Sequence, residues 1–373
     1  MYPERTWKEI LTIISGKNQK EVENPNGKYP IYGSGGIIGY ANESLCPAHT
    51  VIIGRKGTID KPIFVTEPFW NIDTAFGIVA GKEVLPKFLY FFCRIFNFKS
   101  LDKSTGRPSL AKTDLLKIKM PLPDLEEQAR IVARIEELFS QLENGVETLK
   151  QTKEQLAVYR QAVLKEAFDS IVNGTPTSLS ECIIEKPRNG YSPKAVDFPT
   201  KYKNLTLTAT TSGKFIEDCY KYIDIDIDDN SYLWVRHNDI LIQRANTLEY
   251  VGTAVVYTGE DYKYVYPDLM MKCTTKANIN PFFIVYQLQL QRTRQYYRKN
   301  ATGTAGSMPK INQSVVMNTP VIITDLNEQN VIVSQIESRL SVCDQIEQTV
   351  DAALQQAEAL RQSILKKAFE GGL

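Results

Sequence analysis

The chain is poor in histidine, in clustered cysteine, in long apolar runs and in net charge, and each scarcity removes a class of answer. Its only histidines are His49 and His237, and its six cysteines, Cys46, Cys93, Cys182, Cys219, Cys273 and Cys343, are scattered through 373 residues. A zinc site or a disulfide framework needs paired spacing, so neither is expected, and reduced thiols fit a cytoplasmic protein. No apolar run reaches the roughly 18 residues of a membrane span, and Met1-Tyr2-Pro3-Glu4-Arg5 is no signal peptide. Neither histidine has a serine or cysteine placed for nucleophilic catalysis.

What the chain does have is a long segment written twice. At a constant offset of 201 positions, Asp124-Leu125-Glu126-Glu127-Gln128 returns as Asp325-Leu326-Asn327-Glu328-Gln329. Likewise Arg160 to Phe168 returns as Arg361 to Phe369, with no gap between. One structural unit is used twice. Residues seven apart, Ile135, Leu142, Leu149, Leu156 and Val163, recur as Ile336, Cys343, Val350, Ala357 and Ile364, a seam for packing one helix on another. Asp124 with Glu127, and Asp325 with Glu328, read as capping boxes. At about 1.5 Å per residue, each copy is a rod on the order of 65 Å.

The net charge of +1 is informative once divided along the repeats. The two helical segments together carry −8, residues 1–123 carry +6 and residues 171–324 carry +3. Basic globular segments suit an anionic partner, and acidic helices suit a protein partner or solvent. Each globular segment has short strand-like runs, then a helix, then a polar loop before its long helix. The expected fold is therefore α+β, with two mixed α/β modules separated by two long antiparallel helices in a pseudo-two-fold. The expected divisions are 1–123, 124–170, 171–324 and 325–373. A module is then expected at either end of a spacer of fixed length.

Several motifs have a plainer explanation than chemistry. Gly33-Ser34-Gly35-Gly36 lacks the strand, spacing and Lys-Ser/Thr of a phosphate loop, so a tight turn is expected. Asn280-Pro281-Phe282-Phe283 superficially suggests an adenine methyltransferase motif, but Asn followed by Pro is what a helix start requires. Asp224, Asp226 and Asp228 alternate with isoleucines and lack the glycine and distal glutamate of a calcium loop, which reads as a strand with an acidic solvent face. Pro267-Asp268 lacks the remainder of a nuclease motif. No catalytic or metal-binding constellation is expected in this chain.

The remaining polar equipment suits nucleic acid. The first segment offers Tyr32, Ser34, Arg55, Lys56, Lys103, Arg107 and Ser109, and the second offers Gln243, Arg244, Asn246, Arg298, Lys299, Thr302, Thr304 and Lys310. Arg, Asn and Gln can discriminate base edges, whereas Lys, Ser and Thr mainly grip phosphates. The matched placement of these residues, after a strand and in the late loop of each module, favours a shared task.

Taken together, the chain resembles the specificity subunit of a type I restriction–modification system along essentially its whole length. The resemblance is carried by Pro121-Leu122-Pro123-Asp124-Leu125-Glu126-Glu127-Gln128, by its echo at Asp325 to Gln329, and by the matched helix endings. It is also carried by Tyr29 to Tyr40 with Gly54-Arg55-Lys56-Gly57, and by Asp239 to Asn246. The echo departs from the pattern at Asn327 and at Thr319-Pro320. The resemblance implies that each module recognises half of a bipartite double-stranded DNA target, while the helices fix the gap and dock two methyltransferase subunits. It further implies that those subunits bind S-adenosylmethionine, that restriction subunits use ATP and Mg, and that this chain holds no cofactor. Two other readings stand beside it, a cryptic DNA methyltransferase and a coiled-coil adaptor that reads no DNA.

Overall fold

The structure, a computed structural model, describes residues 2–303 and 308–372. Its contacts divide into two units, Met1–Gln151 with Val350–Leu373, and Thr152–Thr349. Each unit holds one mixed module and stretches of both long helices, so the division by contact cuts across the helices.

In the first unit the β-branched strand Thr50–Gly54 is buried throughout, as a strand covered on both faces must be. It pairs antiparallel with Ala75–Ala80 and Ile63–Val65, and Ala75–Ala80 pairs in turn with Leu11–Ser15. A smaller sheet joins Gly36–Ala41, Tyr29–Gly33 and Trp70–Asn71. Its hairpin turns at Ser34-Gly35, and Gly36, which opens the next strand, has φ +124°, consistent with the expected glycine turn. Pro86 begins the helix Pro86–Ile95, which buries Phe88, Leu89, Phe91 and Phe92.

The second unit follows the same plan. Ile240–Gln243 lies between Ala254–Val256 and Met270–Cys273, all antiparallel. A three-stranded sheet runs Ala195–Val196, Tyr220–Ile223, Tyr202–Leu205. Asn280 caps the helix Pro281–Gln289 by accepting from the Phe282 and Phe283 amides at 2.8 and 3.4 Å, as capping chemistry requires. The expected acidic strand is not present: the chain leaves the sheet after Ile223, so Asp224, Asp226 and Asp228 fall in irregular structure. There Asp226 accepts from the Tyr202 hydroxyl at 2.9 Å, and Asp228 accepts from the Asn230 amide at 2.7 Å.

The two long helices span Leu125–Asp169 and Leu326–Glu370, 45 residues each. Asp124 and Asp325 cap them, accepting from the Glu127 and Glu328 amides at 2.8 and 3.0 Å. The reciprocal half of each capping box is missing. Glu127 instead accepts from the Tyr2 hydroxyl and Arg130, and Glu328 from the Thr324 hydroxyl, so a nearby donor has displaced the cap amide.

Within each unit the helix stretches run antiparallel. In the first, Ile131, Val132 and Ile135 share a core with Ile364, Leu365, Ala368 and Phe369, and Arg361 pairs with Glu143. In the second, Val163, Leu164 and Phe168 share a core with Ile332, Val333, Ile336 and Leu340, and Arg160 bonds Asp344 and Glu347 at 2.7 and 2.9 Å. Of the seam residues, Ile135, Leu156, Val163, Ile336, Cys343, Val350, Ala357 and Ile364 are buried, and Leu142 and Leu149 are half-buried.

A buried glutamine fastens each module to its long helix. Gln128 accepts from the Leu85 amide at 2.8 Å and donates to the Glu83 and Pro123 carbonyls at 2.8 and 2.9 Å. Gln329 repeats this with the Asn280 amide and the Asn278 and Thr324 carbonyls. Both side chains are fully buried with every partner satisfied, which fixes the start of the long helix against the start of the module helix.

Candidate nucleic-acid interface

In the first module the central strand ends at Gly54, and the turn after it is sewn to the late loop. The Gly57 amide donates to Pro108 at 2.8 Å, the Leu110 amide donates to the Arg55 carbonyl at 2.9 Å, and Lys56 bridges Ser109. Gly57 has φ +86°, and a Cβ there would come 2.9 Å from Arg107 Nη2, so the glycine lets the Arg107 guanidinium lie on the turn. Ser34 adjoins it too, since a Cβ at Gly54 would lie 3.1 Å from Ser34 Cβ. Asp102 shapes the loop by accepting from the Ser104 hydroxyl, the Ser104 amide and the Ser109 amide, and these bonds hold its carboxyl below the usual range.

The structure thus brings Ser34, Arg55, Lys56, Arg107 and Ser109 together. Arg55, Lys103 and Ser109 also line a cleft of about 560 Å³. Arg55 is half-buried, with its guanidinium 5.8 Å from the Phe76 ring. Lys103 is exposed and pairs with Asp114 at 2.8 Å. Tyr32 is half-buried and packs edge-on against Phe69 at 5.4 Å, and burial raises its hydroxyl pKa, so its ring is part of the scaffold.

The second module has the same turn-and-loop seam. The Ile311 amide donates to the Arg244 carbonyl at 2.9 Å, Ala245 bridges Lys310, and Lys310 pairs with Thr302 through two backbone bonds. Lys299, Thr302 and Lys310 are exposed around this seam. Thr304 lies outside the described residues.

Gln243 requires correction as a base-reading residue. It is fully buried, donates to the Leu207 carbonyl, Thr210 and Thr211 at 3.0, 2.8 and 3.1 Å, and accepts from Asn246 at 2.7 Å. Asn246 is committed as well, because its own oxygen accepts from the Thr247 amide at 2.7 Å. The strand pattern conceals this, since Gln243 is the last residue of a strand buried on both faces. Arg298 is exposed, but its Nε donates to the Leu248 carbonyl at 3.2 Å.

Sequence reasoning missed Arg294, which donates to the Glu249 carbonyl at 2.7 Å. Burial, with Arg298 adding repulsion, depresses its pKa to about 10. Arg294 and Arg298 together hold the loop that follows the Arg244 turn. The available signal was a ten-residue helix, Gln291–Asn300, with four cationic and no acidic side chains. Asp102 was legible as an Asp two positions before a Ser, a common turn signal.

Two modules, each offering a basic turn tied to a polar loop, define a two-part recognition protein. Comparison with known proteins shows what the chain is similar to. Residues 2–156 match the type I restriction modification DNA specificity domain. The chain is 24% identical over 357 residues to the StySPI specificity subunit of Salmonella potsdam, covering 89% of this chain and 76% of that protein. It is 24% identical over 361 residues to the EcoKI specificity subunit of Escherichia coli K12, with the same coverages. A solved structure from work on assembly and conformational transition of the type I system aligns over 100% of this chain and 98% of that one, with TM-score 0.75 and 16% identity. The HsdS subunit from Thermoanaerobacter tengcongensis aligns over 100% and 97%, with TM-score 0.51 and 17% identity. Residues 2–156 thus match the specificity domain of the type I systems, and over 89% of its length the chain is similar to type I specificity subunits.

Proposed function

We propose that this chain is the DNA-reading subunit of a cytoplasmic type I complex, in which each module reads one half of a bipartite target. The observation that carries this reading is the repeated seam: in both modules the turn after the central strand is bonded to the late loop, with exposed cations around it. Cations on a fixed backbone grip phosphates and set the register in which neighbouring side chains meet base edges. The long helices set the number of unread base pairs and dock two methyltransferase subunits, and a restriction subunit joins the complex. S-adenosylmethionine, ATP and Mg belong to those partners. Among the described residues no cluster of His, Cys, Asp or Glu is arranged to hold a metal, and no helix is long and apolar enough to cross a membrane.

The test exchanges residues 1–123 for the corresponding module of another family member, expresses the chimera with the methyltransferase subunits, and maps methylated adenines in the host DNA. One half of the methylated motif should change and the other should stay. A change in both halves, or in neither, would defeat the modular reading.

A further inference from the structure

Arg55 and Arg244 occupy one backbone cradle built twice. The amide of each donates to the residue just before the neighbouring strand of the sheet, Arg55 to Thr74 at 2.7 Å and Arg244 to Leu269 at 2.8 Å. The next amide reaches the same carbonyl, from Lys56 at 3.2 Å and from Ala245 at 3.3 Å. The carbonyl of each arginine accepts from the late loop at 2.9 Å, from Leu110 and from Ile311. Each guanidinium donates through Nη1 to an aspartate main-chain oxygen, Asp73 at 3.5 Å and Asp268 at 3.3 Å. We propose that the two arginines are a duplicated phosphate clamp, each gripping the sugar–phosphate backbone of its own half-site without regard to sequence. The proposal rests on the DNA-reading function above and assigns a division of labour within it.

Three observations support the division. First, both arginines are half-buried residues, and among the described residues neither forms an ion pair with a carboxylate. A cation held in place by main-chain oxygens, without a carboxylate of its own, is free to pair with an arriving anion. Second, in the first module Arg55 opens into a cleft that also presents Lys103, Lys112, Ser104 and Ser109, with Asp114 held by Lys103 and Lys117. Third, the cradle is shared while its neighbours are not. Gly54, Lys56 and Gly57 in one module stand where Gln243, Ala245 and Asn246 stand in the other. If the arginines read bases, one fixed geometry would demand the same base pair in both half-sites. A phosphate makes no such demand, and an arginine fork matches it through paired donors. Base choice then falls to residues outside the cradle.

The experiment uses the full chain co-expressed with its methyltransferase subunits, as wild type and as Arg55→Ala, Arg244→Ala, Arg55→Lys and Arg244→Lys. Affinity is measured across a salt series on one duplex carrying the mapped target and one lacking it, and methylated adenines are mapped in parallel. Each alanine variant should weaken both duplexes by a similar factor and lower the log–log salt slope by about 0.9, with the methylated motif unaltered. The lysine variants should keep most of the slope, which separates charge from folding. A relaxed or altered base at one position would make that arginine a base reader and overturn the clamp. An unchanged slope in a folded alanine variant would reduce the arginine to scaffold, with the same result. Absence of salt-dependent DNA affinity in the wild-type complex would instead remove the DNA-reading function itself.

Discussion

Gln243 has the side chain of an adenine reader and the surroundings of a core residue. Replacing it with alanine removes four hydrogen bonds and leaves the Asn246 side-chain amide without its acceptor, while the Leu207 carbonyl and the Thr210 and Thr211 hydroxyls keep their bonds to one another. A group left without its partner costs about 1–3 kcal/mol and each lost bond about 1 kcal/mol, so Gln243→Ala should lower stability by on the order of 2–3 kcal/mol in a urea titration. Lys299 is its opposite, an exposed cation on a helix without acidic residues. Lys299→Ala should leave the unfolding free energy within about 0.5 kcal/mol of wild type while lowering the salt dependence of DNA binding. Equal stability losses in the two variants would contradict this separation. Residue type alone could not tell them apart, because the difference lies in contacts from Leu207 to Thr211, more than thirty positions away.

Among the elements, the long helices were the most legible, since a seven-residue spacing held at constant offset survives any uncertainty about local structure. The strands Thr50–Gly54 and Ile240–Gln243 were legible as short apolar runs, as were the helix starts at Pro86 and Asn280. The seam between turn and late loop was not, because backbone bonds such as Leu110 to Arg55 leave no trace in side-chain pattern. The acidic stretch after Ile223 was misread because alternation alone does not guarantee a neighbouring strand. Gln128 and Gln329 were visible as repeated residues but not as fasteners. Gln128→Ala should cost on the order of 3 kcal/mol by orphaning the Leu85 amide and two carbonyls, measured by denaturant unfolding; a loss below about 0.5 kcal/mol would show the fastening to be idle.

The helix pair also carries a pH dependence. Burial pushes the Asp344 carboxyl up, but the bonds from Lys214 and Arg160 outweigh it and hold the group below its ordinary value. A depressed folded-state pKa gives stability that is present above the unfolded value, about 3.9, and is lost as pH falls through the folded one. Asp344→Asn should therefore flatten the acid side of the melting-temperature profile below about pH 4. An acid limb identical to wild type would assign that loss to other carboxylates.

On the scale of the whole molecule, the two modules are joined by two helices of 45 residues whose stretches pair through matching contacts, Arg160 with Asp344 and Arg361 with Glu143. These pairs stand at one offset of 201 positions, so lengthening one helix alone breaks the register of the other. Lengthening both by seven residues, after Gln151 and after Thr349, preserves the seam and adds about 10.5 Å of helix. DNA rises about 3.4 Å per base pair, so the unread gap should grow by about three base pairs. Both half-motifs should keep their bases, as mapped by adenine methylation in the host. Inserting four residues instead turns the seam away from its partner and should abolish methylation. A seven-residue insertion that leaves the gap unchanged would show that something other than helix length sets it.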